Sequence, residues 1–293
     1  MHPLRMALDA VSDGRSITET LTSTDVACLG SPALIEAMYE AQAGSYTAEQ
    51  DADELRLYTL EVCRAFCDHV GQYDDVLDVG TGEANRLIAA LRYGRHGGHV
   101  SAVDLSWSRL SWAAANARAA GLRVDFAVAE AACLPIADGS VDWITSVHAL
   151  EPNTGRETAL LAEMARVARK GVLLIEPDWQ LADARQRDRM ARLGFVRSIR
   201  QSAQKAGLTL MHDYPLQHNA NPDNPASVLV FTPARPRTSG APIWQDPVDG
   251  EPLLPFGGGL RTAGGLFYPM LDGIPFLRRR DALMAAKPAG AAS

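Results

Sequence analysis

The sequence predicts an α/β protein with a doubly wound, mostly parallel sheet that helices cover on both faces. Short apolar runs typical of buried strands alternate with helical stretches between residues 73 and 233. These runs are largely apolar, which indicates a sheet covered on both sides. Of the 293 residues, 47% are hydrophobic and 22% are charged, so the chain can bury a core and is not largely disordered.

The pattern predicts seven strands and the helices that connect them. Strands are expected at 76–79, 100–103, 124–128, 141–145 and 172–175, with a closing hairpin near 208–214 and 228–232. Helices are expected at 85–93, 106–120, 158–169 and about 187–205. Gly121 and Gly171 follow two of these helices, where a left-handed helix terminus favours glycine.

Composition divides the chain into five segments. The first is mostly helical, the second is the α/β domain, the third is a linker rich in proline, and the fourth is a small β-rich module. The last is an alanine-rich tail that we expect to be disordered. Their bounds are 1–70, 71–233, 234–242, 243–281 and 282–293.

The net charge of −7 argues against a general nucleic-acid binder. Six arginines between residues 185 and 200 fall in one predicted helix, which we interpret as a solvated face balanced by nearby acids. The four cysteines have neither disulfide-framework nor zinc-ribbon spacing, so no metal site is expected. No signal-like segment or membrane-length apolar run is present, and we expect a soluble, cytoplasmic protein without a membrane partner.

The strongest motif is a glycine-rich turn between the first strand and the next helix. Gly80 and Gly82 allow the backbone to bend sharply and to approach a ligand closely. Asp78 lies two residues before the first glycine, where its carboxylate would oppose a dinucleotide pyrophosphate. This arrangement disfavours NAD and suits a ligand with an ammonium or sulfonium cation.

Two further acids follow the next two strands. Asp104 ends the second strand, where a carboxylate can accept hydrogen bonds from both hydroxyls of a ribose. Glu130 follows the third strand. Because parallel strands end at one edge of the sheet, these acids and Asp78 are expected to converge on one ligand-binding crevice.

These motifs resemble the class I S-adenosylmethionine-dependent methyltransferases, and most closely the small-molecule branch related to ubiquinone biosynthesis. The resemblance rests on Asp78-Val-Gly-Thr-Gly-Glu-Ala, Asp104, Glu130 with Leu134-Pro135, the segments 138–142 and 148–151, and Ala165 to Pro177. It covers about residues 70 to 233. It implies a seven-stranded Rossmann-like sheet, an N-terminal helical lid and S-adenosylmethionine as the cofactor.

The resemblance also implies roles for individual residues. Gly80 and Gly82 would face the methionine part of the cofactor, and Asp104, followed by Leu105, would hold the ribose. Glu130 and Ala131 would contact the adenine, and Ser146 to His148 would line the methyl-donor side. Tyr46 would belong to the lid. Ala84 replaces the third glycine of the family pattern, and Pro152 replaces a histidine that is common there.

Candidates for a catalytic base are His148, Glu151 and Asp178, which fall in loops after the fourth and fifth strands. In-line methyl transfer needs mainly alignment and exclusion of water, but a hydroxyl acceptor also needs a base. The resemblance implies an enzyme that methylates an O, N or C nucleophile of a small metabolite.

Three alternatives remain open at this point. The same cradle would serve an enzyme that cyclises or cleaves S-adenosylmethionine itself. A tRNA or protein methyltransferase is a second alternative, although the Asn-Pro-Pro-Tyr type of motif is absent after the fourth strand. The third is a cofactor-binding subunit without turnover.

The C-terminal module resembles the zinc-ribbon activator subunit of tRNA and release-factor methyltransferases. The positions that match its four cysteines are Asp246, Asp249, Arg261 and Gly264, so the zinc site cannot form. The module is then expected to depend on apolar contacts of Tyr268, Ile274, Phe276 and Leu277. A segment this short rarely folds alone, so we expect it to pack on the methyltransferase domain or on a second subunit, giving a homodimer.

Overall fold

Seven strands form the central sheet of the computed structural model. They are β1 (Asp75–Val79), β2 (His99–Asp104), β3 (Asp125–Val128), β4 (Val141–Val147), β5 (Ala168–Pro177), β6 (Leu208–Pro215) and β7 (Ala226–Pro233). Their order across the sheet is β3-β2-β1-β4-β5-β7-β6. The first five are parallel, and β7 runs antiparallel to β5 and β6. The predicted Rossmann-like sheet with a closing hairpin is confirmed.

The structure describes residues 31–45, 53–94, 97–234 and 244–284, together with residues 5, 6, 9, 10, 13, 15 and 20. The helices of these ranges are α1 (Pro32–Ala41), α2 (Asp53–Ala65), α3 (Asn85–Gly94), α4 (Trp107–Ala119), α5 (Glu157–Val167), α6 (Ala184–Arg192) and α7 (Ile199–Lys205). A π-helical turn, Phe66–Val70, follows α2. None of the helices in these ranges is long and apolar enough to cross a membrane.

Each face of the sheet has its own hydrophobic core, because successive strand residues point to opposite faces. Leu77 faces a core shared with α5, α7 and the C-terminal module. Val76 faces the other core, which contains residues of α2, α3 and α4. Helices therefore cover both faces, as the doubly wound fold requires.

Gly171 does not have the role predicted for it. Helix α5 ends at Val167, and Gly171 lies inside β5. A Cβ atom at this position would lie 2.2 Å from a ring carbon of Trp143 on the neighbouring strand β4. Glycine is therefore required by the indole ring that crosses the backbone. Gly121, in contrast, follows the end of α4 with a φ of +72°, as predicted.

The single helix predicted for residues 187–205 is wrong. The chain forms α6 and α7 with a break at Gly194, whose φ is +70°. The arginines of this segment pair with neighbouring polar groups. Arg185 bonds to Asp223, and Arg200 bonds to Asp178 and Asp213. This supports the interpretation of a charge-balanced surface.

The C-terminal module is a small antiparallel sheet. Its strands are β8 (Leu254–Phe256), β9 (Gly259–Arg261), β10 (Leu266–Leu271), β11 (Ile274–Pro275) and β12 (Leu283–Met284), with a 3-10 turn at Arg279–Asp281. Strand β12 pairs with β10, so the ordered module extends past its predicted end at residue 281. Of the predicted core residues, Tyr268, Ile274 and Leu277 are buried, and Phe276 is half-buried.

The module packs on the free edge of β3. The N–H of Leu277 donates to the carbonyl of Val128 over 2.7 Å, and Phe276 forms a parallel bridge with Val128. The N–H of Gln245 donates to Pro135 O over 3.0 Å. The module therefore extends the sheet edge of the methyltransferase-like domain, which was one of the two packings expected.

Asp246 organises the loop where the zinc-ribbon resemblance would place a cysteine ligand. Its Oδ1 accepts hydrogen bonds from the N–H of Val248 (2.6 Å) and of Asp249 (3.2 Å), and its Oδ2 accepts one from the Tyr268 hydroxyl (2.9 Å). The carboxylate is buried. A network of hydrogen bonds thus closes this loop.

Candidate functional site

A cavity of about 690 Å³ lies at the carboxyl ends of β1, β2, β3 and β4. This is the edge at which open α/β sheets bind ligands. Helix α1 covers the cavity with three side chains, Pro32, Ile35 and Tyr39. Among the residues predicted to bind cofactor or to catalyse, those that line the cavity are Gly80, Asp104, Leu105, Glu130, Ala131 and His148.

Helix α1, which covers the cavity and is called the roof helix below, begins at residues that favour a helix start. Pro32 occupies its first turn, and the Ser31 hydroxyl accepts a hydrogen bond from the N–H of Leu34. This position agrees with the expectation of an N-terminal lid. Tyr46, the lid residue that the resemblance implies, lies outside the described residues.

The glycine turn admits two close neighbours. A Cβ atom on Gly80 would lie 2.2 Å from the Cβ of Ala149, and one on Gly82 would lie 2.9 Å from Nη2 of Arg109. Both glycines have positive φ, at +73° and +56°. Ala84, at the family's third glycine position, also has a positive φ of 58°. The turn therefore keeps its left-handed backbone despite this replacement.

Asp104 is fixed at the end of β2 by two backbone amides. The N–H of Gly82 donates to its Oδ2 over 2.8 Å, and the N–H of Ser106 donates to its Oδ1 over 2.9 Å. Burial raises the pKa of Asp104, although Arg109 and the two amides oppose this shift. The result is a rigid acceptor in the cavity wall.

Arg109 is a cavity residue that the sequence analysis did not select. Ser106 caps α4 by accepting a hydrogen bond from the N–H of Arg109, so the helix begins directly after β2. The guanidinium carbon lies 4.8 Å from the centroid of the Tyr39 ring. Because Arg109 is buried and lies over Gly82, it places a positive charge beside the glycine turn. In the sequence, the sign of this role is that Arg109 is a charged residue at a buried position of α4, next to the apolar Leu110.

Glu130 lies at the cavity wall after β3. Its Oε2 is 3.8 Å from Nη2 of Arg156, another lining residue that was not predicted. The N–H of Ala129 donates to the carbonyl of Asp104 over 2.9 Å, which couples the ends of β2 and β3. The predicted convergence of these two acids on one cavity is therefore present.

His148 lies in the loop after β4, in a strained backbone conformation with a φ of 55°. Its Nδ1 is 3.0 Å from Oε2 of Glu151. Within the described part of the chain, Nε2 has no hydrogen-bond partner, and the Tyr58 ring lies edge-on at 5.8 Å between centroids. Burial lowers the pKa of His148, but the hydrogen bond and charge of Glu151, together with the charge of Glu176, raise it above its ordinary value.

Glu176 was not predicted, yet it holds this loop in place. Its carboxylate accepts hydrogen bonds from the N–H groups of Ala149 (2.9 Å), Leu150 (3.0 Å) and Glu151 (3.2 Å). Complete burial raises the pKa of Glu176 to about 7. The residue thereby fixes the dyad of His148 and Glu151 relative to the sheet.

Five of the predicted residues that the structure describes do not line the cavity: Asp78, Gly82, Ser146, Glu151 and Asp178. Asp178 pairs with Arg200 over 2.6 Å and accepts a hydrogen bond from Ser227. Ser146 is buried and donates to the carbonyl of Val79. Asp78 lies beneath the glycine turn and accepts a hydrogen bond from Thr145 over 2.6 Å.

Asp78 borders a separate, smaller pocket whose lining also includes Arg86 and Thr145. Burial raises the pKa of Asp78 to about 6. The Asp78 carboxylate therefore lies behind the glycine turn and does not line the larger cavity.

Comparison with known proteins agrees with this fold. A family model described as a methyltransferase domain matches residues 76–171. An uncharacterized protein of Mycobacterium tuberculosis is 36% identical over 106 residues, which are 36% of this chain and 37% of the relative. The match thus spans little more than a third of that relative's length.

Two solved structures are similar in fold. Magnesium protoporphyrin IX methyltransferase from Synechocystis, bound to S-adenosylhomocysteine, has a TM-score of 0.55 and 14% identity, covering 68% of this chain and 98% of that one. A chain of the complex between the Haloferax volcanii Trm112 methyltransferase activator and a methyltransferase has a TM-score of 0.53 and 18% identity, covering 67% and 98%.

The family match and the solved structures agree on the fold of this protein. Residues 76–171 match a methyltransferase domain, and the chain shares the fold of the two solved structures. At these identities the solved structures establish the fold.

Proposed function

We propose that the protein is an S-adenosylmethionine-dependent methyltransferase that acts on a small metabolite at an O, N or C nucleophile. The observation that carries the proposal is the rigid Asp104 carboxylate in a roofed cavity at the carboxyl ends of the strands. The cavity lining combines apolar side chains with a few charged groups, as is usual for small-molecule sites. The residues present therefore fit the cofactor.

The lining residues divide into three groups by their chemistry. Asp104 and the adjacent Leu105 would hold the ribose, and Glu130 with Ala131 would contact the adenine. The glycine turn would lie along the amino-acid end of the cofactor, where the Arg109 guanidinium is suited to its carboxylate. When bound, S-adenosylmethionine supplies an electrophilic methyl group on a sulfonium.

His148 and Glu151 support a role in removing a proton from the acceptor. Nδ1 of His148 is held by Glu151, which leaves Nε2 as the atom that can accept a proton. A hydroxyl acceptor needs such a base, whereas an amine or carbanion needs mainly correct placement. Asp178 has no part in this proposal, because its carboxylate is engaged by Arg200.

The binding step is tested by calorimetry with S-adenosylhomocysteine. We expect the wild type to bind and Asp104→Asn to lose about a hundredfold in affinity, because charge-assisted hydrogen bonds to the ribose are removed. Asp223→Asn, which alters an exposed ion pair with Arg185, is the matched control and should bind normally. Equal affinity in wild type and Asp104→Asn would refute the ribose assignment.

The reaction is tested by incubating the protein with S-adenosylmethionine, both alone and with small-molecule, tRNA or protein acceptors, and following the products by mass spectrometry. Adenosylhomocysteine together with a methylated acceptor supports methyl transfer. Methylthioadenosine formed from cofactor alone identifies cyclisation or cleavage instead, and binding without any turnover identifies a non-catalytic subunit. Methylation confined to tRNA or protein would replace the small metabolite in the proposal.

The proposal includes a homodimer formed through the C-terminal module. The outer face of its sheet carries the exposed apolar side chains of Leu254, Phe256 and Leu283. Strand pairing brings Leu254, Arg261, Phe267 and Leu283 into one row across this sheet. Such a patch favours association with another protein surface.

A further inference from the structure

Arg278 of the C-terminal module connects two parts of the cofactor cavity. Its Nη1 donates to Oε1 of Glu36 on the roof helix over 2.6 Å and to the carbonyl of Leu105 over 3.3 Å. Arg280 of the same module also donates to Glu36. Two cationic side chains of the C-terminal module therefore bind Glu36 in the middle of α1.

Both partners of Arg278 belong to the cavity wall or lie next to it. Leu105 lines the cavity directly. Glu36 follows Ile35, and Ile35, Pro32 and Tyr39 are the residues with which α1 covers the cavity. A guanidinium that fixes Glu36 relative to Leu105 therefore sets the distance between the roof and the loop that follows β2.

Arg278 is well placed to act as a rigid arm. The preceding residue, Leu277, is anchored to β3 through its hydrogen bond to Val128. Asp281 accepts two hydrogen bonds from the guanidinium, from Nε over 2.6 Å and from Nη2 over 2.9 Å. The side chain of Arg278 is only 9% exposed, so water competes little for these contacts.

The roof helix depends on such polar contacts. Leu34 and Ala37 of α1 form a small cluster that is separate from both sheet cores. Near its carboxyl end, Glu40 accepts a hydrogen bond from the N–H of Ser108 over 3.3 Å, and the N–H of Gly44 donates to Glu83 over 2.9 Å. The clamp at Glu36 adds charge-assisted hydrogen bonds to the middle of the helix.

We propose that Arg278 is a positioning residue through which the C-terminal module holds α1 closed over the cavity and so slows release of the cofactor. Arg278 is not among the lining residues and acts through Glu36 and Leu105. The inference rests on the proposed function, since it assigns to the module the retention of the nucleoside ligand bound there.

The test compares Arg278→Met and Glu36→Gln with wild type in the full-length protein. Hydrogen exchange of residues 32–41 without ligand should become about tenfold faster or more in both variants, because charge-assisted hydrogen bonds that hold α1 are lost. The dissociation rate of S-adenosylhomocysteine should rise by a similar factor. Arg279→Met, which changes the exposed neighbour in the same turn, is the matched control and should leave both rates unchanged.

Glu36→Gln changes α1 and leaves the sequence of the C-terminal module unaltered. It therefore tests the clamp even if Arg278→Met causes a folding defect in the module. We expect the unfolding midpoint of Glu36→Gln to remain at the wild-type value while the dissociation rate rises. Wild-type exchange and dissociation rates in both variants would overturn the clamp. If wild-type protein does not bind S-adenosylhomocysteine at all, the proposed function fails, and the exchange of α1 still decides whether the clamp exists.

Discussion

Arg109 places a buried cation where the sequence alone led us to expect a site for a cationic ligand. The guanidinium stacks on Tyr39 and lies over Gly82, close to the fixed carboxylate of Asp104. A ligand carboxylate can pair with this cation, and the Asp104 carboxylate is left for the ribose hydroxyls. S-adenosylmethionine has such a carboxylate at its amino-acid end.

This assignment predicts a selective loss of affinity in Arg109→Met. Binding of S-adenosylhomocysteine should weaken by about tenfold to a hundredfold, because a charge-assisted hydrogen bond to the carboxylate is lost. Binding of methylthioadenosine, which lacks the amino-acid end, should not change. Calorimetry with both ligands measures the difference, with Arg118→Met on the exposed side of α4 as the control. An equal loss for both ligands would show that Arg109 only supports the cavity wall.

The ionisation of His148 is the second prediction at the scale of residues. Burial lowers the pKa of His148, but the hydrogen bond and charge of Glu151 and the charge of Glu176 outweigh this effect, so the pKa should lie above its ordinary value. In Glu151→Gln the nearest negative charge is removed, and the pKa should fall below the wild-type value. NMR titration of the labelled imidazole measures the pKa of His148 in both proteins, and it needs no acceptor substrate. An identical titration in wild type and Glu151→Gln would mean that the dyad is not formed in solution.

The loop after β4 shows how one element positions several groups. Glu176, at the end of β5, accepts three successive N–H groups of this loop. The loop carries His148 in its left-handed conformation and brings Ala149 against Gly80. A buried carboxylate on the neighbouring strand therefore links the glycine turn with the candidate base.

The close contact between Gly171 on β5 and the Trp143 ring on β4 predicts that Gly171→Ala destabilises the protein. The added methyl group would meet the Trp143 ring at 2.2 Å, so the substitution should lower the free energy of unfolding by about 2 kcal/mol. Gly258→Ala, which meets nothing within 4 Å, is the control. Urea unfolding measures both variants. Replacing Trp143 by leucine should recover part of the loss, and no recovery would contradict the steric explanation.

At the scale of the whole molecule, the expected dimer can be tested through the outer face of the C-terminal module. Light scattering should give a dimer for the wild type and a monomer for Phe256→Glu, because a charge on this apolar face opposes association. Met211→Glu places the same charge on the exposed edge strand β6 and should leave the dimer intact. A dimer disrupted only by Met211→Glu would move the interface to that edge.

The C-terminal module shows how the loop at Asp246 is closed without cysteine ligands. Cysteine is absent at the positions that the resemblance assigns to zinc ligands, and this was visible in the sequence. Asp246 closes the loop with hydrogen bonds to Val248, Asp249 and Tyr268, which the sequence did not reveal. The role of Asp246 became interpretable only when its hydrogen-bond partners were in place.

Local patterns were enough to predict the sheet, the glycine turn and the shared edge of Asp104 and Glu130. Parallel strands end on one side, so the order of strands and acids along the chain already implies where those acids meet. The positions of Arg109, Glu176 and Arg278 were decided by tertiary structure. Arg278 and Glu36 are 242 residues apart, and only the packing of the module on β3 brings them together. Side-chain contacts over such separations leave no periodic signal in the chain, because they depend on how complete elements pack.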